Sequence, residues 1–261
     1  MKFLTVIFLV LMAIGTNAQH WNKTLVTNYE FTLPTGGMKE NIRYGNGFAV
    51  GMLFTDPSFR IALGPEFVFT GYGHSKSRQD YTFPDGTVAP MDVIVNNSFM
   101  NLVGTARLYF VVDGPVRPYA NVKAGYSFFR TQLTIVDPND GDQCEPVERD
   151  ILMRDGTMVY SAGGGVRLDV AWIFRKAQKN MMFIDLSSTI TQGGRVNYMN
   201  EDAPDPHMSH NSSTRAKGVQ ARFINTQTQV VHEHHVGYLY NSFVQLMDFR
   251  LGLTINLAAI K

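Results

Sequence analysis

A histidine cluster, His232-Glu233-His234-His235, offers the clearest set of metal-binding side chains in the chain. In an extended strand His232 and His234 would share one face and could bind Zn²⁺ or Cu²⁺ through imidazole nitrogens, joined by His207 or His210. The alternative is a polar loop stem that happens to be rich in histidine. We therefore expect His232, His234 and His235 to be the metal candidates, although their spacing is not that of the HExxH zinc helix.

Catalytic and cofactor motifs are not evident. A serine hydrolase needs a serine, a histidine and an acid within hydrogen-bond reach, and all seven histidines fall outside the strands predicted below. Any such site would have to form among the loops at the rim of the fold, where no sequence motif identifies a nucleophile. Gly163-Gly-Gly165 lies in a predicted strand with no phosphate-binding lysine after it, so it predicts no cofactor. We expect a protein that is not an enzyme, with a rim-located hydrolase as the remote alternative.

Alternation of polar and apolar residues predicts β-strands in eight stretches, and periodicity of two is the signature of a strand with one face buried. From Phe243 to Leu257, for example, seven of eight odd positions are apolar. The predicted strands are Leu25–Leu33, Phe48–Phe54, Phe59–Phe69, Met100–Phe110, Val116–Phe128, Tyr160–Trp172, Met182–Thr191 and Phe243–Leu257.

Connections between these strands alternate in length. Short turns are predicted at Asp56–Ser58, Val111–Pro115 and Ile173–Lys179. The long connections are Pro34–Asn46, Gly71–Ser98, Thr131–Asp155 and Gln192–Asn241. Short periplasmic turns with long extracellular loops are typical of outer-membrane barrels. Within the last loop, Val219–Asn225 and Gln229–Val236 are predicted to pair as a hairpin outside the bilayer, although two extra transmembrane strands, making ten, are the competing interpretation.

Glycine decides which strand face points inward. A soluble lipocalin-like barrel would also alternate, but with its apolar face inside. Small residues lie instead on the polar face, as a narrow eight-stranded lumen requires: Gly47, Ala49, Gly51, Gly64, Gly125, Gly163, Gly165 and Gly252. The apolar face, with aromatics near the strand ends (Phe48, Phe54, Phe99, Phe110, Tyr126, Phe128, Tyr160 and Trp172), is predicted to face lipid.

The polar face then carries charged residues into the lumen. They are expected to form a ladder of ion pairs that fills the barrel, because confined charges are costly unless paired. The predicted network comprises Glu30, Arg60, Glu66, Arg107, Arg117, Lys123, Arg167, Asp169, Asp185, Asp248 and Arg250. The alternative is a water-filled passage with separately solvated charges.

The N-terminus predicts export. Met1 and Lys2 precede the apolar run Phe3–Ile14 and the small-residue stretch ending at Ala18, which is the order of a secretory signal peptide. We predict cleavage after Ala18, and a barrel domain over residues 19–261; a retained membrane anchor is the alternative. With 23 Lys+Arg against 22 Asp+Glu, the chain lacks the basic excess of a nucleic-acid binder.

Three glycine-containing alternating segments carry a family resemblance: Gly64-Pro-Glu-Phe-Val-Phe-Thr-Gly-Tyr72, Arg117-Pro-Tyr-Ala-Asn-Val-Lys-Ala-Gly-Tyr126 and Ser161-Ala-Gly-Gly-Gly-Val-Arg-Leu-Asp169. With them, nearly the whole exported chain resembles the small OmpA/OmpX-type outer-membrane barrels, in the style found in Bacteroidota. The resemblance implies an all-β, eight-stranded antiparallel up-and-down transmembrane barrel in the cell outer membrane. It implies location and fold more strongly than activity.

The expected function follows from these patterns. We expect a monomeric, non-enzymatic barrel with a closed lumen, in contact with outer-membrane lipid. Loops on a rigid scaffold often carry recognition, so an extracellular or envelope protein partner is expected at Gly71–Ser98, Thr131–Asp155 and Gln192–Asn241. A porin that passes small solutes is the main alternative.

Overall fold

Nine antiparallel strands make up nearly all of the computed structural model. It describes residues 21–56, 60–82, 85–138, 147–174, 177–200, 217–224 and 231–259, with backbone alone at 56, 82, 217–224 and 231–236. The strands are β1 (Asn22–Pro34), β2 (Gly45–Asp56), β3 (Ile61–Thr82), β4 (Val88–Tyr109), β5 (Val116–Val136), β6 (Glu148–Asp169), β7 (Met182–Asn200), β8 (Lys217–Ile224) and β9 (Val231–Asn256).

Strand pairing closes a barrel of eight. Each strand from β1 to β7 pairs with the next, β7 pairs with β9, and β9 pairs back with β1 from Thr24↔Asn256 to Pro34↔Leu246. Because the sheet closes on itself, these eight strands have no free edge along the wall. The predicted eight-stranded antiparallel up-and-down barrel is confirmed. We call the end that holds Asn22 and Asn256 the terminal end, and the opposite end the hairpin end.

The remaining strand, β8, pairs with β9 alone, from Lys217↔Leu239 to Ile224↔Val231. This confirms the predicted hairpin between Val219–Asn225 and Gln229–Val236 for the residues described. Pairing of β7 with β9 ends at Asn200↔Tyr238, so the hairpin extends beyond the barrel wall. The alternative of ten wall strands is therefore wrong.

Strands at the hairpin end are longer than predicted. Most of the predicted loop Gly71–Ser98 is strand, with β3 and β4 paired out to Thr82↔Val88, and β5 pairs with β6 out to Ile135↔Glu148. The long connections thus begin as continuations of wall strands. Apolar residues that point inward there, such as Val93, Val95, Leu133 and Ile135, are buried and hold these extensions together.

At the terminal end, two predicted strands stop early. Strand β6 ends at Asp169 and not at Trp172, because the Asp169 carboxylate accepts a hydrogen bond from the Ala171 backbone N–H (2.9 Å) and caps the helical turn α1 (Val170–Ile173). Strand β9 ends at Asn256 and is followed by a 3₁₀ turn, Leu257–Ala259. None of the described helices has the length and apolar character to cross a membrane.

Burial alternates along wall strands such as β1, β4 and β5, and in the half of the barrel nearer the terminal end the polar face lies inside and the apolar face outside. Glycines on the inner face permit close strand approach: a Cβ at Gly64 would lie 1.8 Å from the Met52 carbonyl oxygen, and one at Gly125 would lie 2.1 Å from that of Leu102. The orientation predicted from glycine is confirmed. Among the aromatics predicted to face lipid, Phe99 is instead buried inside the barrel.

Candidate functional site

The lumen is filled by two layers of side chains. The layer nearer the terminal end is charged, and it begins with Arg107 of β4 and Asp185 of β7, whose Nη1 and Oδ2 atoms lie 2.7 Å apart. Both side chains are 1% exposed. The Tyr119 hydroxyl donates to the other oxygen of Asp185 (2.5 Å), and Thr254 donates to Oδ2 (3.2 Å). The Arg107 guanidinium also lies over the Tyr119 ring, 4.5 Å from its centroid.

Arg250 organises the next part of the charged layer. Its guanidinium forms ion pairs with both Glu30 and Glu66, the latter at 2.7 Å, and the Lys123 ammonium lies 2.7 Å from the same Glu66 oxygen. Glu66, Lys123 and Arg250 lie on β3, β5 and β9, which are not neighbours, so these contacts cross the lumen. All four side chains are at most 4% exposed. Charges buried to this degree are stabilised only while each has its partner.

Asp248 lies closer to the hairpin end and is held by hydroxyls. Thr32 donates to Oδ1 (2.8 Å) and Thr191 to Oδ2 (2.7 Å), with Thr189 at 3.4 Å from Oδ2. In the described part of the chain, no lysine or arginine lies within 4.0 Å of this carboxylate. Hydroxyl donors therefore replace the ion pair that the sequence predicted at this residue.

Besides Asp248, four members of the predicted network lie apart from the lumen ion pairs. Arg60 is exposed in the turn between β2 and β3, and Arg117 is half-buried at the terminal end. Asp169 caps α1 and accepts from the Asn180 N–H. Arg167 is buried, but its guanidinium donates to the Tyr109 hydroxyl (3.0 Å) instead of reaching a carboxylate. Strand alternation correctly placed Arg117, Arg167 and Asp169 on the inner side of the wall, but it did not give their height along the barrel, and Arg60 lies before the first residue of β3.

An apolar layer that was not predicted from the sequence fills the hairpin half of the lumen. Tyr72, Phe99 and Phe129 contact one another with ring centroids 5.3–6.2 Å apart, and Tyr198 stacks on Tyr240 at 5.9 Å. Around them lie buried aliphatic and methionine side chains: Met91, Val93, Val95, Val103, Leu133, Ile135, Met153, Val159, Val196, Met199, Val244 and Leu246. Alternation of these apolar residues within the predicted loops was the signal available in the sequence.

The connection between β1 and β2 folds into this layer. Met38, on a 3₁₀ turn (Gly36–Met38), is fully buried, and Ile42 is 5% exposed. The side-chain amide of Asn41 donates to the Tyr198 hydroxyl (3.0 Å), and the Asn200 amide donates to the Asn41 carbonyl. The connection therefore contributes to the filling of the lumen.

The histidine cluster lies on the first residues of β9, within the hairpin formed with β8. Backbone pairing joins His232 to Phe223, His234 to Ala221 and His235 to Gln220. Their side chains lie outside the described part of the chain, as do His207 and His210. Among residues whose side chains are described, no cluster of three metal-ligand residues occurs. Metal binding at His232, His234 and His235 stays a prediction.

The outer wall carries a continuous apolar belt. Each of the eight wall strands presents exposed apolar or aromatic side chains, among them Tyr29 on β1, Phe48 on β2, Leu102 on β4, Val122 on β5 and Leu251 on β9, which are 48–59% exposed. Outward positions from 98 to 108, 116 to 128 and 156 to 168 include no charged residue. A continuous exposed apolar surface of this kind marks contact with another apolar phase.

Arginines border the belt toward the hairpin end. The first outward-facing charged residues beyond the belt, on the loop before β2 and on β5, β6 and β7, are Arg43, Arg130, Arg154 and Arg195. The Arg195 guanidinium lies over the ring of Phe243, 4.8 Å from its centroid. Aromatic side chains beside cationic ones are typical of a boundary between an apolar phase and water.

Beyond this border, the paired extension of β3 and β4 carries a surface ion cluster. The Asp92 carboxylate lies 2.8 Å from the Lys76 ammonium and 3.2 Å from the Arg78 guanidinium. Hydrogen bonds from Lys76 and Arg78 hold the pKa of Asp92 below its ordinary value. The extension is thus a polar, ordered surface outside the apolar belt.

Comparison with solved structures finds similar barrels at very low identity. The chain is similar to Neisserial surface protein A (NspA), with 8% identity over 90% of this chain and 97% of that chain and a TM-score of 0.42. It is also similar to the outer membrane protease OmpT from Escherichia coli, with 8% identity, 92% and 98% coverage and a TM-score of 0.28. No protein-family model and no curated protein match the chain.

Proposed function

We propose that the protein is an integral outer-membrane β-barrel that presents ordered hairpins at the cell surface. The observation that carries this proposal is the uncharged apolar belt around all eight strands. Soluble monomers rarely expose contiguous apolar patches beyond a few hundred Å², whereas a membrane barrel requires an outward apolar band ~25 Å tall. The belt then contacts the acyl chains of outer-membrane lipid, and the bordering arginines contact the lipid headgroups.

We further propose that the lumen is closed and that the barrel serves as a scaffold, not as a channel. The charged layer and the apolar layer together occupy the interior with side chains from non-neighbouring strands. The interior of an eight-stranded barrel is just wide enough for such side chains to fill. We also propose that the protein is related to the small OmpA/OmpX-type barrels of Bacteroidota. We propose in addition that it is a monomer and that it is not an enzyme.

Surface recognition is proposed for the hairpin end. The β3–β4 and β5–β6 extensions and the β8–β9 hairpin project there, and rigid paired strands would present their tips in a fixed arrangement. An extracellular or envelope protein is the expected partner. Signal-peptide cleavage after Ala18 stays a prediction, since residues 1–20 lie outside those described.

Electrical recording tests the closed lumen. In planar bilayers the folded protein is expected to show no steady single-channel openings, because both layers obstruct the axis. Heat-unfolded protein at the same concentration is the control for detergent artefacts. Large, steady openings from the folded protein alone would instead identify a solute-conducting porin.

Cysteine labelling tests the orientation. In a Cys144→Ser background, Asp85→Cys places a thiol at the exposed β3–β4 tip, and Lys179→Cys places one at the exposed terminal end. On intact cells a membrane-impermeant maleimide should label the first variant and not the second. Labelling of position 179 with protection of position 85 would reverse the proposed topology, and lysed cells should label at both positions.

A further inference from the structure

Three arginines converge on a cavity at the terminal mouth of the barrel. The cavity has a volume of about 330 Å³ and is lined by Arg60, Arg117 and Arg167, with Asp113 as the one carboxylate among its described lining residues. Three cations and one anion leave the lining with a charge of +2. Its other walls are Asn22, Thr24, Thr55, Tyr109, Val112, Phe183 and Asn256.

The arginines lack anionic partners. Among the described residues, no carboxylate oxygen lies within 4.0 Å of any of the three guanidiniums. Asp169, an acidic residue near the mouth that does not line the cavity, accepts hydrogen bonds from two backbone N–H groups. Arg167 is only 7% exposed, and its Nε makes no hydrogen bond within the described structure. A buried guanidinium with a free donor is costly unless an anion compensates it.

Two of these arginines are held close together by one ring. The guanidinium carbons of Arg117 and Arg167 lie 4.7 and 4.4 Å from the centroid of Phe183. Arg117 donates to the Gly114 carbonyl and to Asn180, and Arg60 donates to the Phe110 carbonyl (3.4 Å). Neutral acceptors therefore orient the guanidiniums without neutralising them. Two like charges placed around one ring repel each other, and a shared anion would remove that repulsion.

We propose that this mouth binds a small tetrahedral oxyanion, phosphate or a phosphate monoester. Guanidinium forks match phosphate geometry, and arginines from three separate places in the chain can each meet a different oxygen. The lining residues on the strands point into the barrel, so the cavity opens along the axis toward water and not sideways toward lipid. The ligand is accordingly a soluble anion, and the volume admits a phosphate with a small substituent.

Phosphate titration of the folded barrel in a maltoside detergent tests this proposal. Inorganic phosphate, added at constant ionic strength against chloride, should bind in calorimetry and raise the unfolding temperature. Acetate should bind more weakly, because its two oxygens engage fewer guanidiniums. Arg60→Gln and Arg117→Gln remove charges that are not fully buried, so both variants should fold, and each should weaken phosphate binding about tenfold.

Arg130→Gln is the matched control, because it removes one guanidinium from the outer wall near the hairpin end. It should leave phosphate affinity unchanged. The proposal is overturned if phosphate does not bind to the folded protein. It is equally overturned if Arg130→Gln lowers affinity as much as the mouth variants do, since binding would then follow net charge alone.

Discussion

Replacing Arg107 with alanine is expected to destabilise the barrel by about 3–5 kcal/mol, because the substitution leaves the Asp185 carboxylate buried without its counter-charge. Both side chains are 1% exposed and lie 2.7 Å apart, so water cannot take over the role of the guanidinium without opening the lumen. The free energy of unfolding is measured by urea titration in lipid vesicles, following the loss of folded barrel.

Arg78→Ala is the control for this experiment. Arg78 also pairs with an aspartate, at 3.2 Å from Asp92, but its side chain is 61% exposed. An exposed guanidinium contributes about 0–1 kcal/mol, and Asp92 keeps the Lys76 ammonium 2.8 Å away, so this variant should unfold close to the parent. If Arg107→Ala also leaves the unfolding midpoint unaltered, the lumen is wet and the charged layer is solvated.

Gly64→Ala is expected to destabilise the barrel by about 1–3 kcal/mol, through a direct clash between neighbouring strands. A Cβ at this position would lie 1.8 Å from the Met52 carbonyl oxygen and 2.9 Å from its carbon. Backbone atoms cannot rotate away as a flexible side chain can, so β2 and β3 must separate. The same urea titration measures the loss.

Gly71→Ala in the same strand separates this clash from the general effect of adding a methyl group. The nearest atoms to a Cβ at Gly71 are carbonyl oxygens 3.9 and 4.0 Å away, which is ordinary contact. Lower entropy of the unfolded chain should make this variant as stable as the parent or slightly more stable. Equal destabilisation of both variants would contradict the close strand approach at Gly64.

Local patterns were sufficient to predict which way most wall side chains face in the half of the barrel nearer the terminal end. Period-two alternation depends only on the pleat, and glycine at positions such as Gly64 and Gly125 marks backbone contact that a lipid-facing surface would not need. Hence the barrel, its strand number and the β8–β9 hairpin were all accessible from the sequence. Strand ends were less accessible, because Asp169 stops β6 through a capping hydrogen bond that an alternation count does not detect.

Pairings across the lumen could not be predicted in the same way. The contact of Arg250 with Glu66 joins residues 184 positions apart, and its formation depends on barrel closure and on the relative height of two non-neighbouring strands. The apolar layer was missed for a related reason. Residues such as Phe99 and Leu133 lie in stretches that look like loop or lipid-facing strand until the register with neighbouring strands is known.

Gel migration of the unheated protein tests the central claim of a closed, membrane-embedded barrel most directly. Protein extracted from the outer-membrane fraction and kept unheated in SDS should migrate differently from the boiled sample, because a sheet with no free edge resists unravelling. A closed, membrane-embedded barrel should show this shift and should be insoluble in the absence of detergent. Identical migration before and after boiling, from a chain that is soluble without detergent, would contradict it.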